Sequence, residues 1–178
     1  MTPTTEPADD GASSPDSDIL RIVVMGVSGS GKTTVGIRLA DRLDVEYVEA
    51  DDAHSDANVA KMADGIPLTD ADRRPWLERL ATRLSARRRV VISCSALKRD
   101  YRDVLRRAGS VTFVYLELPP AVANHRVGGR DGHFMGPEMV ASQFDTLEPP
   151  ADDETDVITI DATQSPAEII DAILTRLA

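Results

Sequence analysis

Residues 26–33 read GVSGSGKT, a full match to the pattern G-x-x-x-x-G-K-[ST]. Each residue type there suits a polyphosphate. The glycines let backbone N–H groups turn inward, and a following helix adds the positive end of its dipole. The lysine reaches the β- and γ-phosphates, and the threonine hydroxyl is a ligand for Mg²⁺. Gly26, Val27, Ser28, Gly29, Ser30, Gly31, Lys32, Thr33 and the adjoining Thr34 are therefore the expected nucleoside triphosphate site.

Three other clusters carry chemistry. "EADDAH" supplies Glu49, Asp51, Asp52 and His54. Glu49 and Asp51 alternate, which puts both on one face of an extended chain. One of the pair is expected to orient a water on Mg²⁺ and the other to accept the proton of a substrate hydroxyl. That division suits phosphoryl transfer, which is mostly positioning and electrostatics. His54 is read as a donor to a substrate oxygen or to a loop carbonyl. "SCSALKRDYR" supplies Ser95, Lys98 and Arg102. Cations where a helix begins call for an anion. Arg102 is expected to clamp a carboxylate with two prongs, and Lys98 to act as a point charge. "HRVGGRDGHF" places Arg126 and Arg130 around glycines. It reads as a mobile lid over about residues 126–137, with Arg130 neutralising charge on the transferred phosphoryl. His133 and Phe134 would belong to it.

These clusters need elements to hold them. Ile22 to Met25 form an apolar run before the glycine loop, and Val35, Leu39 and Leu43 recur at helical spacing after it. Further strands are expected at 45–50, 89–94, 111–118 and 156–161. Helical patterns lie between them, with Ser55, the box Thr69–Asp72 and the box Ser165–Glu168 as caps. Pro75 is expected to split or kink the start of one helix. Strands joined by helices imply an α/β domain: a parallel sheet covered on both faces, with ligands at the carboxyl ends of its strands. Trp76 is read as core or pocket wall, and Cys94 as inert.

The composition sets limits. With 178 residues, one well-packed domain is expected, over 19–178. Residues 1–18 hold five acids and no base, and read as a disordered acidic tail that carries half of the net charge of −10. The acidic balance argues against a general nucleic-acid binder, which would need a basic face, and no apolar run approaches a membrane span. The single cysteine suits a reducing cytoplasm. There is no N-K-x-D sequence, and the most apolar strand ends without a Walker-B aspartate, so a small GTPase or motor ATPase is not indicated.

The tracts "MGVSGSGKTT", "NVAKMADGIPLTDADRRPWL", "CSALKRDYRDVLR", "GRDGHFMGPEMVASQFDTLEPP" and "DETDV" together resemble the gluconokinases of the P-loop type, from residue 22 to the C-terminus. The resemblance implies a three-layer α/β/α P-loop kinase fold, like that of shikimate and adenylate kinases, with a five-stranded parallel sheet and a lid. It implies Mg²⁺- and ATP-dependent phosphorylation of D-gluconate to 6-phosphogluconate by a homodimer. Asp51 matches the acid that meets the substrate hydroxyl, and Lys98 and Arg102 match the sugar-acid pocket. Arg126 and Arg130 match the adenine-side and lid arginines, and "IDATQSP" (160–166) matches the loop beside adenine. The chain departs from the family at Glu49-Ala50, where Asp-Gly is usual, and at Ser55, where proline is usual. Another small hydroxy acid such as shikimate, or a nucleoside monophosphate, is the alternative acceptor. The Glu49-Ala50 departure is the one feature that favours a non-catalytic ATP-binding regulator.

Overall fold

The computed structural model describes residues 18–128 and 137–178. Five strands form one sheet: β1 (Leu20–Met25), β2 (Glu46–Glu49), β3 (Arg89–Ser93), β4 (Thr112–Glu117) and β5 (Val157–Asp161). Their order is β2-β3-β1-β4-β5, and every pair is parallel. Among the described residues seven helices accompany them: α1 (Lys32–Leu43), α2 (Asp56–Ala63), α3 (Asp70–Ser85), α4 (Arg99–Arg106), α5 (Pro120–Gly128), α6 (Pro137–Thr146) and α7 (Pro166–Leu177).

Alternation along the strands builds two cores. Val23 and Met25 of β1, with Val90 and Ile92 of β3, face one cluster, which Trp76, Leu77, Leu80 and Leu84 of α3 and Val104 and Leu105 of α4 complete. Ile22, Val24 and Val91 face the other, where α1, α5, α6 and α7 contribute Leu39, Ala123, Val140 and Ile170. Both faces of the sheet are thus covered, as strand runs without polar alternation require.

The caps lie where the sequence puts them. Ser55 accepts from Asn58 N, and Thr69–Asp72 and Ser165–Glu168 close as capping boxes. Pro75 does not split α3, which is continuous from Asp70 to Ser85. Proline removes the bond to the Ala71 carbonyl, but both residues are on the exposed side, where water can serve that oxygen. The lid expectation falls on 126–137. Arg126 to Gly128 end α5 and Pro137 opens α6. Arg130, His133 and Phe134 lie outside the described residues, as does the acidic tail through residue 17.

One helix–sheet contact is unusually close. A Cβ built on Gly36 of α1 would lie 2.6 Å from Ser93 Oγ and 2.7 Å from Tyr47 Cε2. Gly36→Ala is therefore expected to cost about 1–3 kcal/mol by overpacking, read as a lower midpoint in urea at unchanged slope. An unaltered midpoint would show that β2 gives way freely.

Candidate functional site

The glycine loop leaves β1 at the carboxyl edge of the sheet. Gly29 and Gly31 take φ values of 82° and 90°, left-handed backbone that a side chain would strain. Gly26 N donates to the Ser95 carbonyl at 3.3 Å, which ties the loop to the end of β3. Helix α1 opens at Lys32 with no side-chain cap and no acid in its first turn. Helices α2, α3 and α7 each have a Ser or Thr cap. The loop's shape and an N-terminus left without a side-chain anion fit an anion supplied from outside.

Beside the loop runs a cleft whose wall includes Ser28, Lys32, Asp51, His54, Arg73 and Trp76. Asp51 sits in a 3-10 turn, Ala50–Ala53, directly after β2. The turn changes the expected geometry: Glu49 ends the strand and Asp51 follows it, so the two acids do not share one strand face. Helix α3 holds the turn in place. Trp76 Nε1 donates to the Ala50 carbonyl at 2.8 Å, and Arg79 Nη2 to the Ala53 carbonyl at 3.1 Å. Trp76 is at once core and pocket wall.

The Asp51 side chain is 65% exposed within the open cleft. The protein packed around it still raises its pKa above the ordinary aspartate value, with Lys32 pulling the other way and Asp52 adding to the rise. His54 stacks on Trp76 with ring centres 4.2 Å apart. Burial, and then Arg73 and Arg79, push its pKa down to about 4. The imidazole is therefore neutral at pH 7, and its Nε2, 3.8 Å from Asp51 Oδ1, makes no ion pair there. With Asn58 Nδ2 3.5 Å from Nδ1, the tautomer that fits carries its proton on Nε2, toward the cleft.

Glu49 meets the expected metal ligand. Its Oε2 accepts from Thr33 Oγ1 at 2.9 Å and from Tyr47 Oη at 2.7 Å. Neutral and anionic oxygens are the donor set a hard divalent cation prefers, so the residues fit Mg²⁺. The departure at Ala50 is accommodated too, because its methyl is fully buried in the first core.

Arg102 is a correction. It is expected at the sugar-acid pocket, yet its side chain is 1% exposed beneath α4. Nε and Nη2 grip Glu154 at 2.7 and 2.6 Å, and Nη1 donates to the carbonyls of Ala96, Leu97 and Glu148. The two-pronged carboxylate contact exists, but the carboxylate belongs to this chain. Lys98 likewise turns to Asp70, with Nζ 2.8 and 3.0 Å from its two oxygens. The anion at the start of α4 is also internal, since Glu148 Oε2 accepts from Arg99 N at 2.8 Å.

Arg73 is the cation that lines the cleft instead. It donates to the Leu68 carbonyl and to Tyr101 Oη, and its guanidinium lies 5.6 Å from the Tyr101 ring centre. Its signal was in the sequence. Positions 73, 76, 77 and 80 share one helical face, so an arginine stands on the apolar side of α3. Gln143, also in the wall, stands on the Val140–Phe144–Leu147 face of α6 in the same way. On the far side of the loop, Arg126 and Gln164 line a second hollow with Gly29, Gly31 and Thr34. Arg126 Nη1 donates to the Gly29 carbonyl at 3.3 Å, on the side expected for adenine.

A phosphate loop at the centre of a parallel 2-3-1-4-5 sheet, with an acid facing its lysine across a cleft, defines a P-loop kinase. The shikimate kinase family model matches residues 28–178, and the chain belongs to that family. It is 43% identical over 147 residues to the thermoresistant gluconokinase of Escherichia coli (strain K12), covering 80% of this chain and 84% of that protein. It is 43% identical over 158 residues to the gluconokinase of Gluconobacter oxydans (strain 621H), covering 86% and 88%. A solved gluconokinase from Sinorhizobium meliloti 1021 superposes with a TM-score of 0.83 at 44% identity, over 90% of this chain and 94% of that one. The shikimate kinase of Aquifex aeolicus shares the fold, with a TM-score of 0.62 at 20% identity over 89% and 96%. The protein is a phosphotransferase with ATP as the implied donor.

Proposed function

We propose that this kinase transfers the γ-phosphoryl of ATP to the 6-hydroxyl of D-gluconate, giving 6-phosphogluconate and ADP. The observation that carries the reading is the shared cleft of Lys32, Asp51 and Arg73 beside the phosphate loop. Gluconokinases as relatives over most of the chain support the choice of acceptor. Asp51 takes the proton of the 6-hydroxyl as its oxygen bonds to the γ-phosphorus. The bond from that phosphorus to the β–γ bridging oxygen breaks, and ADP carries the electron pair away. Lys32 neutralises the phosphates, and Arg130 is assigned to the transferred group. Arg126 takes the adenine side, and His54 donates from Nε2 to a substrate hydroxyl. Thr33, with Glu49 behind it, would hold Mg²⁺, which supplies charge neutralisation at the triphosphate. Asp51, like Glu49, would act on the metal through water.

Arg73 replaces Arg102 as the partner of the substrate carboxylate, with Lys98 one layer behind. Arg73→Ala is expected to raise KM for gluconate about tenfold to a hundredfold. A neutral polyol of the same chain length should be affected little, and an equal penalty on both would remove Arg73 from the carboxylate. The reading itself is tested by acceptor-dependent ADP release with Mg-ATP across D-gluconate, shikimate, D-glycerate and AMP. Release with gluconate alone is the expected result. The single cysteine, Cys94, is a buried free thiol, and one cysteine with no disulfide framework suits a reducing cytoplasm. A homodimer is carried over from the resemblance.

A further inference from the structure

The peptide bond between Val27 and Ser28 is gripped at both ends. Its carbonyl accepts from Lys32 Nζ at 3.0 Å, and its N–H donates to Gln143 Oε1 at 2.6 Å. Gln143 is on α6, 115 residues further along the chain. The same residue, with Met139 and Ser142, walls the cleft that holds Asp51 and Arg73. The end of α6 is fixed: Glu148 N donates to the Leu97 carbonyl at 2.8 Å, and the Glu148 carbonyl accepts from Arg102. A displacement of residue 28 therefore reaches α6 one turn ahead of an anchored end.

Lys32 is the residue through which a nucleotide would act on this peptide. It donates to the Val27 carbonyl in this structure, and a bound triphosphate draws the ammonium toward the β- and γ-oxygens. The Val27–Ser28 peptide then loses the lysine and keeps the glutamine, while Ser30 N, 3.2 Å from the Val27 carbonyl, holds its other end. A contact with two arrangements, joined by a short hydrogen bond to the wall of a second site, is the physical requirement for coupling two ligands.

We propose that Gln143 is a positioning residue that couples the phosphate loop to the acceptor cleft, so that nucleotide and acceptor each tighten the other. This rests on the kinase reading above, with gluconate as acceptor. Gln143→Met keeps the length of the side chain and removes the carbonyl that Ser28 donates to. The measurement is the Kd of a non-hydrolysable ATP analogue with Mg²⁺, with and without saturating D-gluconate, in the wild-type chain and in Gln143→Met. Gluconate should tighten the analogue about fivefold or more in the wild type and by less than about twofold in the variant. A merely structural glutamine would lower the melting temperature and leave the ratio intact. Equal coupling in the two proteins overturns the proposal, as does a wild type that phosphorylates gluconate without coupling. If gluconate neither binds nor reacts, the acceptor assignment fails, and the backbone amide resonances of Ser142 and Phe144 decide. Shifts on adding the analogue alone, lost in Gln143→Met, uphold the coupling; unmoved resonances in the wild type overturn it.

Discussion

Asp51→Asn is expected to lower kcat for gluconate phosphorylation by about 10²–10⁴-fold, the usual contribution of a positioned base. The amide keeps the shape of the side chain and cannot take the proton. The Kd for Mg-ATP should change little, because the phosphate loop, α1 and Thr33 are untouched. The wild-type pH profile gives a second reading. The protein packed around the cleft raises the Asp51 carboxyl above the ordinary aspartate value, with Lys32 opposing the rise and Asp52 adding to it. Activity must therefore fall as acid protonates the base, with an acid limb above the range of a free aspartate, and Asp51→Asn should lack that limb. Stopped-flow ADP release across pH checks both points. Turnover within a fewfold of wild type would take Asp51 out of the proton transfer and leave the 3-10 turn a structural element only.

Arg102→Met is expected to be the most destabilising single change, at ~3–5 kcal/mol, because it leaves Glu154 buried beside a lost partner. Arg106, 2.8 Å from Glu154 Oε2, compensates in part. Stability should depend on pH with a definite sign. Hydrogen bonding from Arg102 first, and from Arg106, holds the Glu154 carboxyl down at about 2, against an ordinary value of 4.5. A depressed carboxylate contributes fully above its unfolded value and is lost as pH falls through its folded value. Wild type therefore loses this contribution between pH 4.5 and about 2. In Arg102→Met, protonating Glu154 relieves an uncompensated charge, so the gap to wild type should be widest near neutrality and narrow in acid. Urea unfolding at several pH values measures it. Arg102→Met combined with Glu154→Leu should recover much of the loss, since an apolar pair can replace a buried ion pair. A variant as stable as wild type that selectively lost gluconate affinity would return Arg102 to the acceptor site.

Arg102 also shows where reading a sequence stops. Its neighbours Tyr101, Val104 and Leu105 are on the inward face of α4, and a charged residue between them implies a carboxylate partner. That much is local chemistry. Which carboxylate it meets depends on a segment some fifty residues away, because residues 148–154 return over the start of α4. Spacing along one helix carries no information about that return. Arg73 is the converse case. Its place on the apolar face of α3 was legible, but its aim into the cleft depends on where α3 crosses the end of β2.

By itself the sequence determined the strand order, the helices other than α6, the capping boxes, the phosphate loop and the identity of the acids after β2. These rest on periodicity, side-chain caps and glycine backbone, all of which act within a few residues. The tertiary structure alone decided three things: that Asp51 is carried by a 3-10 turn pinned by Trp76 and Arg79, that Arg102 serves Glu154 while Arg73 lines the cleft, and that Gln143 reaches Ser28. Each is a contact between segments 25 or more residues apart. The partner in such a contact is set by how the helices pack across the sheet, and by no pattern within either segment.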